Sequence, residues 1–344
     1  MTRQSYRASA GFALIEMILI GVVIVAILFV GWRLVAKKNS LDKMATTNGP
    51  TTSVAGLHIN TSSLAYDNPP QPNPNPDPNG PYYHSIYEAT STDGLNFNPT
   101  GVQIINHASV PDMIRLSSGQ IVFYAVDASG RSNSGVLVGV SSDNGKSWKF
   151  GSMELESSRQ PAVAADPQIT IDNQGQLRLF YTVWPNGPQT PGQTQNANSS
   201  PNNIDSATST DGIHFIEDPG VRLAHAQITD PDPVKINNTW FLYVSEGPTL
   251  AYATSTDGLH FIYQGIIRQQ GSVSKTIPIG NGQWRQYYCV NNGIGSATST
   301  NGINWTTDNG LRLSTPPGKF ICDPTVAQIS QNNWLMIYKV THAQ

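Results

Sequence analysis

Ala207-Thr-Ser-Thr-Asp211-Gly212-Ile-His-Phe215 is one of five related segments in this chain of 344 residues. The others are Ala89-Thr-Ser-Thr-Asp93-Gly94-Leu-Asn-Phe97, Val140-Ser-Ser-Asp143-Asn-Gly145-Lys-Ser-Trp148, Ala253-Thr-Ser-Thr-Asp257-Gly258-Leu-His-Phe261 and Ala297-Thr-Ser-Thr-Asn301-Gly302-Ile-Asn-Trp305. Each follows a strand-like run. The Asp-Gly or Asn-Gly step supplies a tight turn, because glycine tolerates positive φ. The aromatic that closes each segment is placed to pack between neighbouring sheets. These are outer hairpins of a repeated β unit.

A second element recurs between them, a pair of β-rich runs joined by a polar turn. Met113–Leu116 pairs with Ile121–Val126, Ile169–Ile171 with Leu177–Val183, and Val234–Ile236 with Trp240–Val244. Ile277–Ile279 with Gln286–Val290, and Val326–Ile329 with Trp334–Val340, complete five inner pairs. The first outer hairpin has no inner pair before it, and the last inner pair has no hairpin after it. Joining those halves makes one blade from both ends of the repeat region and leaves no open sheet edge. The pattern therefore predicts an all-β fold, a five-bladed β-propeller over residues 81–344, closed by its N- and C-terminal strands.

Composition agrees with many short strands and turns. Charged residues make up 12% of the chain, about half the usual ~25%. A formal net charge of −3 argues against nucleic acid as a partner. No Cys/His spacing suits a metal site; Cys289 and Cys322 are the only cysteines, either disulfide-bonded or free.

The N-terminal region is different. Residues 12–35 read FALIEMILIGVVIVAILFVGWRLV, long enough to span a bilayer as a helix, with Glu16 as its one acid. A lone carboxylate in such a helix calls for a partner. Gly11-Phe12-Ala13-Leu14-Ile15-Glu16 resembles the type IV prepilin signal. That resemblance implies cleavage after Gly11 by a prepilin peptidase, a new N-terminal Phe12, and Glu16 pairing with neighbouring pilins. The expected order is a leader (1–11), a pilin-like transmembrane helix (12–39), a Pro/Asn-rich linker (40–80) and the propeller. The propeller would then stand outside the cell membrane, on the cell surface or on a pilus.

Acids stand where the inner strands begin: Asp112, Asp166, Asp230 with Asp232, and Asp323, while the fourth blade has Ser274-Lys275 there. Asp before Pro is also a common device for entering a strand, so each has a structural alternative. His107-Ala-Ser-Val-Pro-Asp112 and His225-Ala-Gln-Ile-Thr-Asp230 share a spacing that aligns Asp112 with Asp230.

Five such hairpins with axial acids resemble the arabinanase/levansucrase/invertase superfamily, which includes the family-43, family-32 and family-130 glycosidases and phosphorylases. Val140–Trp148 is also similar to the Asp box of sialidases, a structural turn. The superfamily resemblance implies a poly- or oligosaccharide substrate and glycoside hydrolysis by carboxylates flanking the scissile bond. On it Asp112 would be the base, Asp166 the pKa modulator, and Asp230 or Asp232 the acid. Relatives place a Glu at that acid position; here the nearest Glu-Gly-Pro, at Glu246, lies after the second strand of the blade. His107, His225, Trp184 and Asp323 are candidate sugar-binding residues. No cofactor is implied beyond a central calcium seen in some relatives, for which the sequence has no signature. A non-catalytic glycan-binding adhesin or minor pilin is the alternative.

Overall fold

The computed structural model describes residues 56–73, 77, 79–159, 163–185 and 201–342. The expected leader and apolar helix, with Gly11, Phe12 and Glu16, lie outside the described residues. Among those described, no helix is long and apolar enough to cross a membrane.

Five sheets form the five predicted blades, antiparallel except where the short strand Glu154–Glu156 runs parallel to His214–Glu217. Their inner strands are Ala108–Arg115, Ala165–Ile171, Ile228–Ile236, Ser274–Gly280 and Lys319–Ser330. These strands pack in a ring, each against the inner strand of the next blade. Blade 5 joins Lys319–Ser330 and Asn333–His342 to Ser85–Ser91 and Asn98–Asn106. The closing register runs from Ser85 opposite Val340 to Ser91 opposite Trp334. The two ends of the propeller thus complete one sheet, as the order of the repeats requires.

The repeated turns are fastened by their own side chains. Ser209 Oγ accepts the Gly212 N–H at 2.9 Å, and Asp211 Oδ1 accepts the N–H groups of Ile213 and His214 at 2.9 Å each. In the turn resembling an Asp box, the Ser147 hydroxyl and N–H hold the Asp143 carboxyl down at about 2. Phe215, Phe261, Trp305 and Phe97 each meet a ring on the second strand of the preceding blade: Tyr124, Phe180, Tyr243 and Tyr287. Trp148 instead packs within its own blade on Phe123. The buried hydroxyls of Tyr124, Tyr243 and Tyr287 donate to the carbonyls of Gly212, Gly302 and Gly94 at 2.7–2.8 Å. Three of these four seams therefore combine apolar burial with a satisfied polar handle, and the Phe180–Phe261 seam is apolar alone.

The boundary of the linker is corrected. Residues 57–73 fall in the expected Pro/Asn stalk, yet they bind the propeller. Ile59 is fully buried among Leu116, Val122, Tyr124 and Phe215. Its N–H and carbonyl bond the Gln120 amide at 2.8 and 3.0 Å. Further along, the Ser152 N–H donates to Ala65 O, Asn68 N–H to Arg131 O, and Gln71 N–H to Ser129 O. Composition hid this strap because two apolar residues, Leu57 and Ile59, suffice to anchor it once a groove exists between blades 1 and 2.

Cys289 and Cys322 form a disulfide. It ties the end of the second strand of blade 4 to the inner strand of blade 5.

Candidate functional site

Each inner strand is entered through a residue with a left-handed backbone, and in four of the five that residue lies in a bulge. These residues are Val110, Asp166, Asp230, Val273 and Asp323, with φ between 46° and 53°. Such a conformation is costly for any residue with a Cβ, most of all for valine. Because Val110 and Val273 adopt it too, the conformation belongs to the architecture and not to the chemistry. The register breaks between Ser109 and Asp112, Ala165 and Gln168, Thr229 and Asp232, and Cys322 and Thr325. The bulge defines two layers on the axis. Its first residue belongs to an upper layer, and the residue two positions on belongs to a lower one.

This geometry corrects the spacing argument. Asp112 is the counterpart of Asp232, Gln168, Lys275 and Thr325, all in the lower layer. Asp230 is the counterpart of Val110. The shared His-Ala spacing misaligned the two strands by two residues, because what fixes register is the left-handed pair His107/Val110 against Gln227/Asp230.

The lower layer is a sealed structural ring. Asp112 is fully buried. Its Oδ2 accepts from Lys275 Nζ at 2.6 Å and from the Ile169 N–H at 2.7 Å, and its Oδ1 accepts the Thr325 hydroxyl at 2.8 Å. Asp232, also fully buried, accepts from Ser274, the Thr276 hydroxyl and the Thr276 N–H at 2.9, 2.7 and 3.1 Å. Thr325 Oγ1 accepts the Met113 N–H at 3.0 Å. Asp112, Asp232 and Thr325 thus each fasten their blade to the next inner strand. Pro233 offers no N–H to Gln168, whose Oε1 is buried without a partner. With its acceptors committed and water excluded, Asp112 is not disposed to act as a base.

The upper layer carries the carboxylates that face one another. The Asp230 carboxyl is raised by burial first, then by the charges of Asp166 and Asp323, against the Thr229 hydroxyl and Lys339. Burial likewise raises Asp166, and Asp323 adds to the effect, while Thr182 and the Asp230 N–H oppose it. Three carboxyls cannot all ionise cheaply at such range. The Asp166/Asp230 pair titrates as a unit, above the usual carboxyl range. Both residues keep some solvent exposure. Asp323 is the member with a cation against it: Lys339 Nζ lies 2.7 Å from its Oδ2. The disulfide positions it as well, since Asp323 follows Cys322 and its N–H points at Cys289 Sγ, 3.1 Å away.

Other expected residues fall elsewhere. Glu246 turns to the rim, where its carboxylate meets His225 Nδ1 at 3.2 Å and the Tyr263 hydroxyl at 3.0 Å. His225 stacks on Tyr263, so these two candidates form one outer cluster apart from the axial acids. His107 stacks on Tyr82, and its Nδ1 lies 2.6 Å from the Tyr82 carbonyl. Trp184 is half-buried at the end of a strand. Cys289, Cys322 and Asp323 come close enough to share an ion, but the sulfurs are bonded to each other and offer no thiolate.

Sequence reasoning missed the lysines. Lys275 had a signal, since it replaces the acid of the fourth blade. Lys339 had none, being one basic residue in an apolar strand; only the fold carries it to Asp323.

No family model matches the sequence, and neither does any curated protein. Solved structures do match. A thermostable family-43 glycoside hydrolase aligns with TM-score 0.54 at 14% identity, over 70% of this chain and 90% of that one. The chain shares that fold. The GH43 protein BlXynB of Bacillus licheniformis gives 0.52 at 14% identity, over 68% of this chain and 49% of that one. A protein of unknown function from Dyadobacter fermentans gives 0.51 at 13%, over 78% and 85%. At these identities the likeness is one of architecture, and chemistry must be argued from the site.

Proposed function

We propose that this chain is a glycan-directed propeller that cleaves glycosidic bonds with its upper-layer carboxylates. The observation that carries the proposal is the convergence of Asp166, Asp230 and Asp323 with unequal surroundings. Asp230, holding a proton near neutral pH, suits the general acid. Asp323, paired with an ammonium, suits the base or nucleophile. Asp166 lies electrostatically between them and sets their balance. A protonated and an ionised carboxyl flanking one bond are what hydrolysis of a glycoside requires. The fold shared with family-43 enzymes supports a carbohydrate substrate by analogy.

We place the protein outside the cytoplasm, anchored by residues 12–39 after prepilin-type processing at Gly11. The apolar run and Glu16 support this placement, and so does the disulfide, since oxidised cysteine pairs persist outside the reducing cytosol. One observation favours a purely binding role instead: Lys339 occupies Asp323.

The test is turnover by the full-length chain on a panel of chromogenic glycosides and polysaccharides. Asp230→Asn and Asp323→Asn should each reduce kcat by about 10²-fold or more, and the pH profile should be bell-shaped. Glycan binding without turnover that survives both substitutions would replace the enzyme with a lectin.

A further inference from the structure

A cavity of about 460 Å³ opens beside Lys339, the partner of Asp323, on the blade 5 side. Its walls are Asn79, His84, Asn291, Lys319, Phe320, Lys339, Thr341 and His342. Lys319 pairs across the ladder with His342, and Phe320 with Thr341, so adjacent rungs of one strand pair build one wall. No carboxylate is among these lining residues. His84 is spent on the protein itself: Ser109 Oγ lies 2.9 Å from Nδ1 and the Asn79 carbonyl 3.0 Å from Nε2. Burial and then Lys339 lower its pKa to about 4, so the ring is neutral and donates through Nε2. The cations are Lys319, which is exposed and makes no ion pair among the described residues, and Lys339, which it shares with Asp323.

We propose that this cavity is a subsite for an anionic substituent of the glycan, a uronate carboxylate or a sulfate ester, held by Lys319 and Lys339. The inference rests on the glycosidase reading above and names its substrate class. It also gives the Lys339–Asp323 contact a purpose. An anion in the cavity competes with Asp323 for the Lys339 ammonium, and what it draws away leaves the Asp323 carboxylate free to face the sugar. A neutral glycan leaves the ion pair closed. Phe320 supplies an apolar surface and Asn291 an amide, the usual company of a sugar ring.

The experiment measures binding of matched oligosaccharides to the full-length chain by calorimetry: oligogalacturonate, a sulfated galactan oligosaccharide and their neutral counterparts, at low and high salt. An anionic ligand should bind about tenfold tighter than its neutral counterpart, and salt should narrow that gap. Lys319→Ala should shrink the preference by about fivefold. Preference for the uronate alone would assign a carboxylate, and for the sulfated ligand alone a sulfate ester; either supports the subsite. Equal binding of charged and neutral ligands, or an unchanged preference in Lys319→Ala, overturns the subsite while leaving a glycan-directed propeller standing. Binding of no oligosaccharide at all overturns both.

Discussion

Asp230 binds its proton more tightly in the fold than in the unfolded chain, so it stabilises the protein only in acid. Its contribution is fully present below the ordinary carboxyl range near 4. It is lost as pH rises toward about 8, where the folded site must accept the charge. Asp230→Asn removes that cost. We expect it to raise stability by about 1–2 kcal/mol at pH 8, roughly 2–6 °C in Tm for a domain of this size, with little gain at pH 4. Thermal melts of both proteins across pH check this. Asp112 should behave oppositely. Asp112→Asn strands the buried Lys275 ammonium and should cost about 3–5 kcal/mol, and pairing it with Lys275→Met should recover most of the loss. Urea titrations of the three variants would show whether Asp112 serves the fold, as its hydrogen bonds indicate.

At the scale of elements, the strap of residues 57–73 is the part most easily underestimated. Ile59 sits so close to the Asp211-Gly212 turn that any side chain at 212 would collide with it. Ile59→Ala should cost about 2–4 kcal/mol, the range for a buried aliphatic truncation. A chain shortened to begin at residue 81 should lose at least as much, because it also frees the Gln120 amide. Denaturation midpoints decide between this and a free stalk, for which neither change would matter. The seams are subtler: Tyr243→Phe removes the shorter of two hydrogen bonds to the Gly302 carbonyl, which keeps the Trp305 Nε1–H at 3.1 Å, and should cost about 0.5–1 kcal/mol.

Over the whole molecule, two fastenings act at blade 5. The Ser85–Ser91 strand closes the ring, and the Cys289–Cys322 bond spans 33 residues from blade 4. Closing a loop of that length in the unfolded chain is worth about 3–4 kcal/mol on entropic grounds. Reduction should therefore lower Tm markedly. It should also blunt any activity that depends on Asp323 before the protein unfolds, because Cys322 precedes that residue directly. Loss of Tm with activity untouched below the transition would separate the disulfide from the site.

The sequence by itself determined the number of blades, their hairpin turns and the closure by the two ends. Those features are written locally, in Asp-Gly steps, aromatics at fixed offsets and alternating apolar runs, each readable within a dozen residues. It also marked Asp166, Asp230 and Asp323 as strand-entry acids. It could not separate them from Asp112 and Asp232. A single left-handed residue before each strand shifts the register, so acids two positions apart fall in different layers of the axis. The sequence showed Lys275 in the acid's place in the fourth blade but not its partner Asp112, 163 residues away, and it did not single out Lys339, on the strand paired with that of Asp323. Spacing along a chain records direction only while the backbone stays regular. Where it bulges, and where charge partners come from other blades, only the tertiary structure decides which carboxylates seal the core and which face one another above it.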